Sequence, residues 1–116
     1  MSWYKRRTFH HSGFPVELLA RKRRRTASVL LPAKNEAATI GPIVEALMPL
    51  KEAGVIDQIA VLDDSPDGTG EIAASLGAEV YNQETLRPEF GPVRGKGDAM
   101  WRGLQIARGD VVCYLD

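Results

Sequence analysis

The residues best suited to chemistry lie in four short segments of this sequence. A lysine, Lys96, stands between two glycines, and acidic residues stand at Glu36, at Asp63–Asp64 and at Asp116. Glycines around a lysine at a helix start suit a diphosphate, because backbone N–H groups approach the anion closely and the lysine adds positive charge. Carboxylates at strand ends can accept hydrogen bonds from a base or a ribose, or hold Mg²⁺ or Mn²⁺ through oxygen ligands.

The glycine-rich segment around Lys96 differs from the Walker phosphate-binding motif. Only three residues separate Gly91 from Gly95, one fewer than that motif requires. Gly97 also stands where the motif needs serine or threonine. The sequence therefore excludes a P-loop.

The elements that position these residues alternate between strands and helices. Apolar runs typical of buried strands lie at Ala27–Pro32, Ile59–Leu62, Ala78–Tyr81 and Val111–Leu115. Apolar residues at helical spacing predict three intervening helices, one from Ile40 with Gly54 as a candidate stop, one over Gly70–Leu76 and one over Asp98–Arg108. The first helix can be capped by Thr39 or by Asn35. Asn82–Gly97 has no period and predicts a long loop.

Four strands that alternate with helices predict right-handed crossovers and a mainly parallel sheet with helices on both faces. Ligands of such sheets bind beyond the carboxyl ends of the strands. Glu36 closely follows strand one, Asp63–Asp64 ends strand two, and Asp116 follows strand four. The long loop leads into the helix that follows Lys96, so we expect these charged groups to converge.

The composition is that of one globular domain. The chain has 116 residues, of which 44% are apolar and 26% are charged. No apolar run approaches the roughly 20 residues that a membrane-spanning helix needs, and no secretory signal follows the N-terminus, so we expect a cytoplasmic protein. The single cysteine, Cys113, lies within an apolar run, which predicts a core residue without redox chemistry.

The formal net charge of zero conceals a strong asymmetry. Met1–Thr26 carries eight basic residues and one acidic residue, whereas Ala27–Asp116 carries seven basic and fourteen acidic residues. A basic arm of residues 1–26 thus precedes an acidic body of residues 27–116. Such an arm can bind an anionic partner. We favour a solvated or self-docking arm, because Pro15–Arg23 predicts a short helix whose basic last turn opposes the helix dipole.

Four segments, in order, resemble the nucleotide-binding half of family-2-like glycosyltransferases of the glycosyltransferase-A fold. They are Leu31–Glu36 (LPAKNE), Val61–Thr69 (VLDDSPDGT), Gly95–Trp101 (GKGDAMW) and Asp110–Asp116 (DVVCYLD). With Trp3–His11 (WYKRRTFHH) ahead of them, the chain is most similar to the branch that glucosylates 3-phosphoglycerate. The resemblance implies an α/β fold with a Rossmann-like, mainly parallel sheet in strand order 3-2-1-4. Residues 27–116 would be its nucleotide-sugar-binding half.

The resemblance implies a retaining transfer of glucose from UDP-glucose to the 2-hydroxyl of 3-phosphoglycerate, with Mg²⁺ or Mn²⁺ on the diphosphate. Carried over by motif, Pro32, Ala33 and Glu36 would lie along the nucleoside, Asp63 or Asp64 near the uracil, Lys96 at the donor nucleotide, and Asp116 at the ribose or the metal. Relatives often carry serine in place of Asp64. The metal and Lys96 would stabilise charge on the departing UDP, an electrostatic role that needs no nucleophile.

The family pattern also contains parts that this sequence does not. The family's metal motif is Asp-x-Asp, of which the chain contains only Asp116, and a later histidine ligand and the acceptor-binding half are absent. We therefore expect a reading frame truncated after strand four, inactive by itself. A homodimer is compatible with the full-length form.

Other functions and simpler roles remain open at this point. Another nucleotide-sugar enzyme, such as a mannosyl-3-phosphoglycerate or polyprenyl-phosphate sugar synthase, would use the same sheet. A nucleic-acid binder would use the basic arm, but the acidic body argues against it, and we expect no nucleic-acid partner. Asp63–Asp64 and Glu36 could also serve only their turns and helix starts. We expect Trp101 to pack rather than to bind sugar, and the adjacent His10 and His11 to hold no metal.

Overall fold

The computed structural model describes all residues, Met1–Asp116, and contains the predicted parallel sheet. Its order is β3-β2-β1-β4, which confirms the order 3-2-1-4. The strands are β1 Ala27–Pro32, β2 Gln58–Asp63, β3 Glu79–Asn82 and β4 Val111–Tyr114. The helices are α1 Trp3–Arg6, α2 Val16–Lys22, α3 Ile40–Glu52, α4 Thr69–Ser75 and α5 Lys96–Gly103. Single turns of 3₁₀ helix lie at His11–Gly13, Gln83–Thr85 and Pro88–Phe90.

The two central strands, β1 and β2, are buried on both faces. Alternate residues such as Val29 and Val61 belong to the apolar core beneath α3 and α4. Leu30 and Leu62 are fully buried and face α5, where Gly103 packs against them. A strand covered on both faces has apolar side chains at most positions, which is why Val29–Leu31 and Ile59–Leu62 read as continuous apolar runs.

Helix α3 begins at Ile40, with Thr39 in the N-cap position. The Thr39 hydroxyl does not cap the helix but donates to the Glu36 carboxylate at 2.7 Å. Asn35, the other candidate cap, lies before this turn with a φ of +56°, a conformation that asparagine adopts more readily than most residues. The start of α3 is therefore set by the tight turn that contains Glu36.

Helix α5 is shorter than the sequence predicts. The predicted helix over Asp98–Arg108 is wrong at both ends, since α5 begins at Lys96 and ends at Gly103. The following residues form tighter turns, in which the Gln105 and Ile106 N–H groups donate to carbonyls three residues back at 3.1 Å. Arg108 lies outside the helix because its backbone N–H donates to the buried Gln58 side chain at 2.9 Å. The tertiary contact overrides the helical pattern.

Strand β4 lies at the edge of the sheet, and this position corrects the prediction for Cys113. The Cys113 side chain is exposed, not part of the core. Val111 and Leu115 are 46% and 41% exposed. An apolar run predicts burial only where another layer covers the strand, and α3 and α4 cover β1 and β2 instead. The inner side of β4 is held by Tyr114, whose hydroxyl donates to the Met100 carbonyl at 2.7 Å.

A polar network joins the amino ends of the strands, at the edge of the sheet opposite the charged segments. The Ser28 hydroxyl donates to the fully buried Gln58 amide at 2.6 Å. The Gln58 amide donates to the Ile106 carbonyl at 2.9 Å. The Glu79 carboxylate accepts hydrogen bonds from both Nη atoms of Arg108, at 2.9 and 2.8 Å. These bonds are the main cause that lowers the pKa of Glu79 to about 2.

The arm of residues 1–26 contains the short helix predicted in Pro15–Arg23, with Pro15 at its N-cap. The arm joins the body at its end, where the Arg23 guanidinium forms a bidentate pair with Asp57. This pair, followed by the Ala27 N–H bond, holds the pKa of Asp57 at about 2. None of the helices in the structure has both the length and the apolar character to span a membrane.

Candidate functional site

A cavity of about 290 Å³ lies at the carboxyl ends of the strands. It has the position that ligands take in open parallel sheets. Six of the seven residues predicted from the sequence line it: Pro32, Ala33, Glu36, Asp64, Lys96 and Asp116. Asp63 is the exception.

One end of the cavity is formed by Lys96 and Asp116, which form an ion pair. Lys96 is the first residue of α5 and follows Gly95, whose φ of +117° favours glycine. The first N–H groups of a helix have no partner within it, so the start of α5 favours an anion beside the lysine. The two side chains are 52% and 73% exposed, and such pairs are weak, so an incoming phosphate or cation can separate them.

Asp63 and Asp64 differ in their contacts with the main cavity. The Asp63 carboxylate is 7% exposed and accepts the Ser65 N–H at 2.9 Å as well as its hydroxyl, so it closes the turn after β2. It lines a small recess beside Gly70 and Asn82, which Asp64 also borders. Asp64, unlike Asp63, also lines the main cavity, and its Oδ1 atom is buried without a hydrogen-bond partner. Buried carboxylate oxygens are nearly always bonded, so this atom indicates a missing donor.

The turns after β1 and β2 are tied together. The Asp67 carboxylate accepts the Thr69 N–H at 3.1 Å and the Ala37 N–H at 3.2 Å. The Thr69 hydroxyl accepts the Glu36 N–H at 3.0 Å. Its own bond to Asp67 is the main cause that lowers the pKa of that carboxyl. The segments that carry Glu36 and Asp64 are thus fixed relative to each other.

The long loop predicted at Asn82–Gly97 is folded around a buried arginine that the sequence analysis missed. Arg102, on α5, is 1% exposed. Its guanidinium donates to the Leu86 carbonyl at 3.2 Å and to the Gly91 carbonyl at 2.7 Å. It also pairs with Asp98 at 3.0 Å. The only signal in the sequence was the spacing of Asp98 and Arg102, four residues apart on one helical face.

Two further residues, Gln83 and Glu84, line the cavity and were not predicted from the sequence. They directly follow β3, as Asp64 follows β2, so their place after a predicted strand was the available signal. Both carboxylate oxygens of Glu84 lie 3.2 Å from the Val93 N–H and close the base of the loop. Gln83 is 5% exposed and its side-chain amide makes no hydrogen bond within the chain.

The cavity residues fit a divalent cation only in part. No cluster of three or more histidine, cysteine, aspartate or glutamate side chains is close enough to hold a metal ion. Asp116 provides one carboxylate, which in this structure pairs with Lys96. Mg²⁺ is commonly held by one or two carboxylates together with substrate phosphates. Asp116 therefore fits a metal that arrives with a diphosphate, and not a metal bound alone.

A second, more apolar cavity of about 460 Å³ adjoins the first, between the start of α3 and the end of β4. It shares Glu36 and Asp116 with the first cavity and is otherwise lined by residues such as Ile43 and Leu115. The polar part of the site therefore continues into an apolar recess.

The remaining residues singled out in the sequence lie outside both cavities. Trp101 is 47% exposed and packs edge-on against Phe90 at a ring distance of 5.2 Å, as expected for a packing residue. The His10 and His11 rings lie 4.2 Å apart on the exposed arm, where His10 Nδ1 is 2.8 Å from the Ser12 hydroxyl.

Comparison with known proteins places this site in a family. Residues 28–116 match the model of glycosyl transferase family 2. A glucosyl-3-phosphoglycerate synthase of Mycobacterium tuberculosis is 45% identical over 112 residues, which cover 94% of this chain and 34% of that protein. One of Mycolicibacterium paratuberculosis is 42% identical over 118 residues, with 99% and 35% covered. The chain thus spans about a third of the length of these curated relatives.

Two solved structures share the fold. Mannosyl-3-phosphoglycerate synthase from Rubrobacter xylanophilus matches with a TM-score of 0.89 and 48% identity, over 95% of this chain and 37% of that one. Glucosyl-3-phosphoglycerate synthase from Mycobacterium tuberculosis, in complex with Mn²⁺, UDP and glucosyl-3-phosphoglycerate, matches with a TM-score of 0.82 and 43% identity, over 94% and 39% of the two chains. The parallel sheet of order 3-2-1-4 is therefore that of a glycosyltransferase-A fold. This chain belongs to glycosyl transferase family 2.

Proposed function

We propose that this chain is the donor-binding part of a glucosyl-3-phosphoglycerate synthase, which transfers glucose from UDP-glucose to 3-phosphoglycerate with retention of configuration. The observation that carries the proposal is the cavity itself. It has a cation and a carboxylate, Lys96 and Asp116, at one end and the Asp64 carboxylate at the other. A nucleoside diphosphate has this polarity, with anionic phosphates at one end and a ring N–H donor at the other.

Each predicted residue then has a role in donor binding. Pro32, Ala33 and Glu36 contact the nucleoside along the end of β1. Asp64, rather than Asp63, accepts the uracil N–H, because Asp64 lines the cavity and Asp63 does not. Lys96 binds the diphosphate together with the start of α5. Asp116 contacts the ribose or the metal.

The chemistry assigned to this chain is electrostatic. Cleavage of the bond between glucose and UDP leaves negative charge on the departing diphosphate. Lys96 stabilises that charge more strongly as it develops, and this preference for the transition state accelerates the reaction. A bound Mg²⁺ or Mn²⁺ supplies further positive charge to the phosphate oxygens. The Gly95 conformation fixes the direction in which Lys96 leaves the loop.

Nucleotide titration of this chain tests the proposal directly. We expect calorimetry to detect UDP binding that is tighter with Mn²⁺ than without it. ADP, whose base presents a ring nitrogen acceptor to Asp64 in place of an N–H, is the matched control and should bind more weakly. Absence of UDP binding with and without Mn²⁺ would contradict the proposal.

A second candidate is a mannosyl-3-phosphoglycerate synthase. The similarity to the Rubrobacter xylanophilus structure, at 48% identity, favours it. Competition between UDP-glucose and GDP-mannose for the chain separates the two candidates. If GDP-mannose displaces UDP at a lower concentration than UDP-glucose does, the donor is GDP-mannose and our donor assignment is wrong.

The proposal includes a cytoplasmic location, since UDP-glucose and 3-phosphoglycerate are cytoplasmic metabolites, and it includes no nucleic-acid partner. A basic arm that bound DNA or RNA would do so with steep salt dependence. We expect no gel shift by the chain at moderate salt. A shift that disappears when residues 1–25 are removed would instead support the nucleic-acid binder.

A further inference from the structure

We infer that Gln83 recognises the nucleobase of the donor, with its side-chain amide donating a hydrogen bond to the 4-oxygen of uracil. This inference rests on the proposed function and assigns a specificity-determining residue within that site. Gln83 lies outside the four segments that resemble the family.

The state of the Gln83 side chain carries the inference. Gln83 is 5% exposed and lines the cavity. Its backbone carbonyl accepts the Leu86 N–H at 3.3 Å, but its side-chain amide has no partner within the chain. Asp64 Oδ1 is the one fully buried side-chain polar atom without a partner, so the Gln83 amide keeps its accessible surface although the rest of the residue is buried. A side chain that is buried except at an unbonded amide, and that lines a cavity, offers that amide to whatever occupies the cavity.

The register of the sheet places Gln83 beside Asp64. Asn82 of β3 pairs with Asp63 of β2, so the residues that follow them lie side by side beyond the last paired position. Adjacent strands are about 4.8 Å apart. Lys96 and Asp116 lie toward β4, at the other edge of the sheet. Gln83 and Asp64 thus form the end of the cavity that is farthest from the diphosphate position.

This placement matches the edge of uracil. The ring N–H of uracil is flanked by two carbonyl oxygens, and the 4-oxygen is the one farther from the ribose. With the diphosphate at Lys96, the 4-oxygen faces the β3 end of the cavity. The Asp64 carboxylate accepts the ring N–H, and the Gln83 amide donates to the neighbouring oxygen. Cytosine would present an unprotonated ring nitrogen to the Asp64 carboxylate, and the two acceptors would repel each other.

Substitution of Gln83 by methionine tests the assignment, since methionine has a similar length and no donor. We expect Q83M to bind UDP about five- to tenfold more weakly than the wild-type chain in calorimetric titration, the loss of one hydrogen bond to a neutral acceptor. Q105L, which alters an exposed glutamine outside the cavity, should leave UDP binding unchanged. A circular dichroism melt of each variant reports whether the fold is kept.

A modified ligand separates a base contact from a general effect. The diphosphate of 4-thiouridine keeps the ring N–H but replaces the 4-oxygen by sulfur, a weak acceptor. We expect the wild-type chain to bind it several-fold more weakly than UDP, and Q83M to bind the two ligands equally. Equal binding of both ligands by the wild-type chain overturns the inference even if Q83M does not fold.

The inference and the proposed function fail in different ways. If the wild-type chain binds no UDP, both the proposed function and the assignment of Gln83 are wrong. A wild-type chain that binds UDP, with Q83M binding it equally well, leaves the proposed function intact and removes only the assignment of Gln83. If Q83M still prefers UDP over the 4-thio ligand by the wild-type ratio, Gln83 does not contact the 4-oxygen. The assignment of Gln83 is then also wrong.

Discussion

Arg102 and Asp98 form an ion pair across one turn of α5, with Arg102 Nε 3.0 Å from Asp98 Oδ1 and Nη2 3.1 Å from Oδ2. The Arg102 side chain has no exposed surface, whereas that of Asp98 is 24% exposed. The bonds from Arg102, followed by that from the Arg94 N–H, lower the pKa of the Asp98 carboxyl. Through this pair α5 holds the preceding loop at Leu86, Gly91 and Arg94.

Replacement of Arg102 by methionine should destabilise the chain and weaken UDP binding together. Removal of one partner from a buried charge pair costs roughly 3 kcal/mol, and here it also frees the carbonyls of Leu86 and Gly91. Urea unfolding and UDP titration measure the two effects. R87M, which alters an exposed arginine paired with Glu89, is the control and should change stability by less than about 1 kcal/mol. Equal stability of R102M and R87M would refute the role of the buried pair.

Replacement of Lys96 by methionine should weaken UDP binding about tenfold or more, because a charge-assisted bond to phosphate is lost. Its effect on stability should be small, since its ion pair with Asp116 is largely exposed. Calorimetric titration with UDP measures the loss. K51M, on the far end of α3, should bind UDP as the wild type does.

Replacement of Asp116 by asparagine should remove the gain in UDP affinity that Mn²⁺ provides. Asp116 is the cavity carboxylate beside Lys96, where the diphosphate binds, so it can join a metal there and binding without metal should change little. Titrations with Mn²⁺ and with a chelator measure the difference. E52Q, at the end of α3, is the matched control. A persistent Mn²⁺ effect in D116N would show that the metal contacts other groups.

The stabilising effect of Glu79 should depend on pH. Its pKa falls from 4.5 to about 2 in the folded chain because Arg108 donates two hydrogen bonds to it. A lowered pKa means that the contribution is fully present above about pH 4.5 and is lost as the pH falls toward 2. The difference in unfolding free energy between the wild type and E79Q should therefore shrink from pH 7 to pH 2. A constant difference across this range in urea titrations would contradict the expectation.

Replacement of Gly109 by alanine should destabilise the sheet by about 1 to 3 kcal/mol. A Cβ atom at Gly109 would lie 2.6 Å from the Ser28 backbone nitrogen and 2.8 Å from the Ala27 carbonyl carbon. These atoms belong to β1 and cannot move without disturbing its ladder. Gly13→Ala, where a Cβ atom meets nothing within 4 Å, is the control. Thermal melts of both variants measure the contrast.

The positions of the strands follow from local features of the sequence. Ala27–Pro32 is a strand with the predicted bounds because each of its side chains meets a covering layer or a neighbouring strand. The order of the strands, and the convergence of six predicted site residues at their carboxyl ends, then follow from chain connectivity and right-handed crossovers.

Some assignments failed because burial and pairing join residues that are distant in sequence. Cys113 lies in an apolar run but at an uncovered edge, so hydrophobicity alone predicted the wrong environment. Helix α5 ends early because Arg108 bonds to Gln58, fifty residues away. Asp63 and Asp64 are adjacent in the chain and border the same small recess, yet only Asp64 also lines the main cavity.

The sequence by itself determined the alternating strands and helices, the family and the charged groups that face the cavity, because periodicity and short motifs are local properties. Only the tertiary structure decided that Asp64 rather than Asp63 faces the cavity, that Arg102 is buried in the loop, and that Gln83 has no partner. The physical reason is that hydrogen bonding and burial are fixed by which segments meet across the sheet, and a single strand or loop contains only one side of each contact.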